Sequence, residues 1–315
     1  MRFPSWIEVR EVGLRDGLQS RPVVVPTETK ADMFRGLVAA GFKKIEAVAL
    51  VHPASMPHMA DAEALLELVG VQPDVVVSGL VLNRRGLLRA LDLHDLGLLQ
   101  EIHFLHAATD EVLRANGFKA DLQGNQDEVI AMATIAKEAG MRTMPFVSAS
   151  FGCSIAGYVD PEIPLGIAHA FVDSGAVDEV CFSDSTGQAT PRQVFDFFSL
   201  VKDQFEIPIT AHFHDSRGSG LANVLAALQI GLGSLTIDAA FAGLGGDVPF
   251  LPEAAGNVCT EDLLSMLHGC DVGTDIDLGA TLAVAGMARD LFPDSPSHVL
   301  QVGPVSWRRP AAQGV

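Results

Sequence analysis

The chain has 315 residues, of which 48% are hydrophobic, and 39 Asp and Glu against 21 Lys and Arg give a formal net charge of −18. No Lys/Arg cluster supplies the basic face that a nucleic-acid binder needs, and no apolar run reaches the roughly 18 residues of a membrane span. An anionic substrate would have to be drawn in by a local positive group, such as a bound cation or an arginine.

In chain order, β-rich runs occupy residues 7–12, 44–50, 75–82, 101–107, 143–150, 179–183, 208–214 and 234–240. Between them lie Ala- and Leu-rich stretches with helical periodicity, among them 30–40, 128–139, 192–202 and 220–230. Strands alternating with helices imply parallel βα units, and eight such units imply a closed (β/α)8 barrel, the TIM-barrel fold, of the α/β class. The rival is a doubly wound sheet, which usually carries a Gly-rich phosphate turn after its first strand. Here that place is taken by Gly13-Leu14-Arg15-Asp16-Gly17. Thr190-Pro191-Arg192-Gln193 predicts a helix start with a capping box, and Thr27 before Glu28 reads as a cap. With no linker rich in Gly, Ser or charge, residues 1–270 are expected to form one barrel domain. Residues 271–315 form an extension, with a helix over 280–291 and a loose tail from 308.

Residues 1–11 lack a charged-then-apolar leader pattern. Cys153, Cys181, Cys259 and Cys270 fit neither a zinc knuckle nor a CxxC pair. Reduced thiols in a cytoplasmic protein are expected.

In such a barrel the active site lies at the C-terminal ends of the strands. The seventh run ends Ala211-His212-Phe213-His214-Asp215. Residues i and i+2 of a strand point to one side, so His212 and His214 face together and can chelate a metal. Strand 1 is close to strand 7 in a closed barrel, so Asp16 can reach the same cation; otherwise it is an Asp-Gly turn residue. Asn257 follows the eighth run and is either a fourth ligand through its amide oxygen or a turn residue. Mixed oxygen and nitrogen ligands suit Mg²⁺, Mn²⁺, Co²⁺ or Zn²⁺. Arg15 would lie at the same mouth and stabilise an oxyanion. Glu46 is an acid in an apolar strand, which calls for a buried partner, and Arg15 is the one nearest the mouth. Asp184 ends the sixth run, where it lines the active face or braces the next turn. Gly243-Leu244-Gly245-Gly246-Asp247 is a mobile lid or a plain turn.

The motifs Val12-Gly13-Leu14-Arg15-Asp16-Gly17-Leu18-Gln19, Ile45-Glu46, Phe151-Gly152-Cys153, Asp184-Ser185-Thr186-Gly187, His212-Phe213-His214-Asp215, Gly243-Leu244-Gly245-Gly246 and Gly256-Asn257-Val258-Cys259-Thr260-Glu261-Asp262 follow one another in order. Together they resemble the 3-hydroxy-3-methylglutaryl-CoA lyase family, within the metal-dependent lyase/aldolase barrel superfamily, over residues 7–269. The resemblance implies Asp16, His212, His214 and Asn257 as metal ligands, with Mg²⁺ or Mn²⁺ foremost. It further implies Arg15 as the catalytic arginine, Glu46 and Asp184 as site acids, and Gln19 with Arg15 as substrate-binding. The implied reaction is retro-Claisen cleavage of a 3-hydroxyacyl-CoA to acetyl-CoA and a keto acid, by a homodimer or higher homo-oligomer. Alternatives are a related substrate such as citramalyl-CoA, or aldol chemistry on a 4-hydroxy-2-oxo acid. A binding protein that kept the barrel and lost the acid/base is the reading from another class.

Two departures bear on proton transfer. The family's glycine loop continues with a catalytic cysteine, where this chain has Asp247. A thiol and a carboxylate differ by about four units in ordinary pKa. Where the family has a serine before the proline after strand two, this chain has His52, a second candidate proton carrier.

Overall fold

The computed structural model of the protein describes residues 3–246, 251 and 254–305. Each β-rich run forms a strand: β1 (Glu8–Glu11), β2 (Lys44–Ala49), β3 (Val76–Val81), β4 (Glu101–Ala107), β5 (Arg142–Ser148), β6 (Val180–Asp184), β7 (Ile209–Phe213) and β8 (Leu235–Ala239). The helices are α1 (Thr27–Ala40), α2 (Ala62–Val69), α3 (Arg84–Asp95), α4 (Asp110–Ala115), α5 (Leu122–Glu138), α6 (Glu162–Asp173), α7 (Pro191–Gln204), α8 (Gly220–Ile230), α9 (Thr260–Gly269), α10 (Leu278–Leu291) and α11 (His298–Val302).

The strands pair in sequence order, and β1 closes on β8, with every pair parallel. The expected (β/α)8 TIM barrel is therefore the fold. The capping box at Thr190 is present: Thr190 accepts from the Gln193 amide, and the Gln193 side chain accepts from the Thr190 amide. Two local expectations are corrected. Thr27 does not cap α1; its hydroxyl donates to Asp61 at 2.8 Å, and Pro26 holds the cap position. The helix expected from residue 128 starts at Leu122, because the Asp121 carboxylate accepts from the Gly124 amide at 2.8 Å. Val284, Ala285 and Ala288 of α10 are buried in the same core cluster as the barrel residues. The tail expected to be loose lies outside the described residues from 306 onward.

The period of two in the strands separates two interiors. Outward side chains such as Ile102, Phe104, Phe182 and Phe213 bury against the helices. Inward positions of a TIM barrel are usually filled by branched apolar residues. Here Arg10, Glu101, His103, Glu179 and Asp238 are all at most 1% exposed inside the barrel. Arg10 sits at the centre of them: its guanidinium donates to Glu101 at 3.2 Å, Glu179 at 3.2 Å and Asp238 at 3.4 Å. Lys44 adds a bond to Glu179 at 2.9 Å. Charges this deeply buried persist only because they are paired. This ionic layer forms the floor beneath the strand ends.

Candidate active site

β1 runs into a single π-helical turn, Gly13–Gly17, buried throughout. The Asp16 and Gly17 amides both reach back to the Val12 carbonyl, at 2.8 and 3.2 Å. Wide turns of this kind recur at functional sites because they re-aim side chains. This one lifts Arg15 and Asp16 into the barrel mouth. Below it the Glu11 carboxyl accepts from the Gly13 amide at 2.7 Å and the Phe241 amide at 3.0 Å, and the Thr260 hydroxyl lies at 2.6 Å. These bonds tie the turn to the segments after β8. Burial pushes Glu11 up to about 8, against the opposing pull of those donors.

At the end of β7, His212 and His214 face one another, while Phe213 turns outward onto Phe151 and Phe198. The His214 Nδ1 lies 3.0 Å from the Ala255 carbonyl, which can only accept, so the ring proton sits on Nδ1. His212 makes the equivalent bond to the Asp238 carboxylate at 3.0 Å. With both rings neutral, as metal ligation requires, each points an Nε2 lone pair at the other across 3.2 Å. The Asp16 Oδ2 lies 3.9 Å from both. Two lone pairs and a carboxylate converging on one point repel unless a cation lies between them. The separations fit within the span of about 4 Å allowed by two ligand bonds of about 2.0–2.2 Å.

Asn257 closes the set. It is held by an isolated bridge to His214, and its Nδ2 donates to Asp16 at 2.7 Å and to the Leu244 carbonyl at 3.1 Å. Its Oδ1 is buried and has no partner among the described residues. A buried acceptor left unmade costs about 1–3 kcal/mol, so this oxygen is the natural fourth donor. Gly245 makes room for the amide: its φ is +120°, and a Cβ there would lie 2.5 Å from Asn257 Nδ2. The residues present fit a divalent cation. Burial would raise the Asp16 carboxyl, but Arg15 and the two histidines hold it well below the usual carboxylate range. Burial and the neighbouring His212 push His214 down to about 4. Burial also acts against the His212 cation, but Asp238 and Asp16 more than offset it and raise its pKa.

Arg15 is clamped from two sides, by Asp16 at 2.6 Å and Glu46 at 2.5 Å, and lies over the Phe146 ring at 5.8 Å. A register shift in β2 between Glu46 and Val48 accompanies the inward placement of Glu46. Gln19 donates to Asp16 at 2.8 Å. Arg15, Asp16, Gln19, His212 and His214 all line a cavity of about 430 Å³. One of its walls is apolar, with Leu80, Leu105 and Phe146, and another carries Ser148, Ser183 and Ser185. The Ser185 hydroxyl lies 2.6 Å from Ser148 and 3.1 Å from Ser183.

Glu46 is fully buried behind Arg15, pairs with it, and is not among the residues that line the cavity. Asp184 has the contacts of the brace among its two readings: its carboxylate accepts from the Gln188 and Ala189 amides at 2.9 and 2.8 Å. His52 is exposed, its Nδ1 accepts from the Ala54 amide at 3.2 Å, and its neighbours Val51, Ser55 and Met56 line the cavity in its place. Asp247 lies outside the described residues; Gly246 before it lines the cavity. The sequence reading missed Asp238, His103 and the three serines. Asp238 and His103 are polar residues at every second position of apolar strands, which is a readable sign of a polar barrel interior. The serines carry no local signal beyond their place at strand ends.

Comparison with known proteins gives a consistent picture. The HMGL-like family model matches residues 6–287. An (R)-citramalyl-CoA lyase of Chloroflexus aurantiacus is 33% identical, over 95% of this chain and 95% of its own length. The crystal structure of the Bacillus subtilis HMG-CoA lyase superposes with a TM-score of 0.89 at 31% identity, over 96% of this chain and 99% of that one. An HMG-CoA lyase of Acinetobacter baumannii, solved with coenzyme A and 3-methylmalate, superposes with a TM-score of 0.87 at 31% identity, over 98% and 99%. Among the described residues, no helix is long and apolar enough to cross a membrane.

Proposed function

The chain belongs to the HMGL-like family and is a lyase, and from that premise we propose that it cleaves a 3-hydroxyacyl-CoA by retro-Claisen chemistry to acetyl-CoA and a keto acid. The observation that carries the reading is the pair of imidazoles turned Nε2 to Nε2 beside Asp16 and the unpartnered Asn257 oxygen. Those four residues would hold Mg²⁺ or Mn²⁺, with Co²⁺ and Zn²⁺ as further fits. When bound, the cation would supply a Lewis acid that lowers the pKa of the substrate hydroxyl and fixes its orientation.

The remaining steps belong to side chains of this protein. Arg15 is held at both ends of its fork, and its Nε–H has no partner among the described residues. A preorganised cation in the cavity wall stabilises the charge that develops on the thioester oxygen as the carbon–carbon bond breaks; one such donor is worth about 3 kcal/mol. Ser148, Ser183, Ser185 and Gln19 orient the acyl group by hydrogen bonding. Asp247 stands where the resemblance puts a catalytic thiol, and it carries the proton from the hydroxyl to the departing enolate. A carboxyl sheltered from water can be raised far enough to serve.

The relatives include lyases for 3-hydroxy-3-methylglutaryl-CoA and for (R)-citramalyl-CoA, and these are the first two substrates to offer. A cytoplasmic homodimer or higher homo-oligomer is part of the proposal, tested by light scattering. The deciding experiment measures release of acetyl-CoA from both thioesters, and of pyruvate from 4-hydroxy-2-oxo acids, with Mg²⁺ or Mn²⁺ present. Turnover of only the oxo acids overturns the reading. Asp247→Asn should lose most of kcat while His52→Ala keeps it; an active Asp247→Asn variant removes Asp247 from the mechanism.

A further inference from the structure

His103 on β4 has no part in the cavity, yet it lies directly behind the residue that holds Arg15. Its Nδ1 is 2.8 Å from Glu46 Oε1 and its Nε2 is 2.9 Å from Glu101 Oε1. All three side chains are fully buried. A carboxylate oxygen only accepts, so each ring nitrogen must bring a proton. A neutral imidazole would turn one lone pair against a carboxylate where no water can intervene. The charged groups around it come from four elements. Glu46 of β2 and Glu101 of β4 touch the ring. Arg15 of the π-turn reaches it through Glu46, and Arg10 of β1 through Glu101. From β5, Phe146 packs its uncharged ring edge-on against the imidazole at 5.5 Å.

We propose that His103 is a positioning residue of the active site: a protonated imidazolium that pins the Glu46 carboxylate and, through it, the Arg15 guanidinium. The consequence is both geometric and electrostatic. Glu46 divides its two oxygens between Arg15 and His103, which leaves it one orientation. Arg15 is shared between the Asp16 and Glu46 carboxylates. A cation behind Glu46 offsets part of that negative charge, so less of the guanidinium's charge is cancelled where an anionic substrate and a developing oxyanion would lie. Burial opposes the charged ring, but the two carboxylates more than offset it and raise its pKa. Phe146 packs against both the His103 ring and Arg15, so a tilt of the imidazole is also transmitted by contact.

The kinetic arm of the test rests on the lyase reading; the spectroscopic arm does not. In protein labelled with ¹⁵N-histidine, the two His103 ring nitrogens should show the imidazolium signature at pH 8, and Glu46→Gln should lower the pH at which it is lost. A neutral His103 tautomer at pH 8 overturns the proposal, whether or not a substrate has been found. With a turned-over thioester in hand, His103→Gln should lower kcat by about 10- to 100-fold, the range for loss of an orienting partner. KM and stoichiometric Mn²⁺ uptake should stay within about twofold. On the Glu46→Gln background the same substitution should cost less than about twofold, because the connection is already cut. An equal loss in both backgrounds shows that His103 does not act through Glu46 and overturns the proposal. If His103→Gln fails to fold, the ring-nitrogen spectra of the wild type and Glu46→Gln decide alone.

Discussion

Asp238→Ala tests whether the metal centre depends on a residue that touches no cation. Asp238 holds the His212 Nδ1–H at 3.0 Å, inside the barrel and away from water. That bond keeps the ring proton on Nδ1 and leaves Nε2 bare for coordination. A hydrogen bond to a charged acceptor is worth about 1.5–3 kcal/mol net. Loss of a carboxylate behind a ligating histidine typically weakens binding about 10- to 100-fold, or about 1.4–2.7 kcal/mol, so the two routes agree. Asp238 also faces Arg10 at 3.4 Å, but Arg10 keeps Glu101 and Glu179. The barrel interior therefore retains a counter-charge, and the effect should centre on His212. Titration with Mn²⁺, read by calorimetry or by the electron spin signal of the free ion, should give an affinity about 10- to 100-fold below wild type. Asp238→Asn keeps an acceptor oxygen for Nδ1 and should recover most of the loss. An alanine variant that binds Mn²⁺ within about twofold of wild type would refute the idea that Asp238 sets the His212 tautomer.

Arg10→Met removes the cation shared by Glu101, Glu179 and Asp238 and should destabilise the fold by about 3–5 kcal/mol in urea unfolding; a change below about 1 kcal/mol would mean that Lys44, 2.9 Å from Glu179, and Arg142, 3.1 Å from Glu101, already compensate. For Glu11 the sign follows from its raised pKa: below the ordinary carboxylate pKa its contribution to stability is fully present, and it is lost as pH rises through about 8. Glu11→Gln mimics the protonated form, with one oxygen for the Gly13 and Phe241 amides and an N–H for Thr260. Unfolding free energies from pH 5 to 9 should therefore show wild type losing stability relative to the variant as pH rises; a constant difference would put Glu11's folded pKa back in the ordinary range. Gly245→Ala adds a Cβ 2.5 Å from Asn257 Nδ2 at a φ of +120°. Backbone strain alone costs about 1–3 kcal/mol, and Mn²⁺ affinity should fall with it; undiminished affinity would show that Asn257 does not need its present position.

The barrel was legible because its signal repeats. Eight β-rich runs with apolar outward positions, separated by helical stretches, leave little choice of topology. The His212-Phe213-His214 triplet was legible because strand period alone puts both rings on one side. Asp16 and Asn257 needed only the closure of β1 onto β8 to join them. Proton transfer was less readable, because a local motif does not say which way a loop side chain turns. Asp184 had two backbone amides to satisfy next to it in its own turn, and His52 folded back onto the Ala54 amide.

What the amino-acid order determines by itself is the periodicity of strands and helices and the pairing of the two imidazoles, both set by local backbone geometry. Only the tertiary structure decides what stands behind them. Glu46, His103, Glu101, Arg10 and Asp238 come from four strands and up to 228 positions apart, yet their charges lie in contact inside one barrel. A buried charge is tolerable only beside its opposite, and which opposites meet is set by closure of the sheet, for which no single segment carries the information.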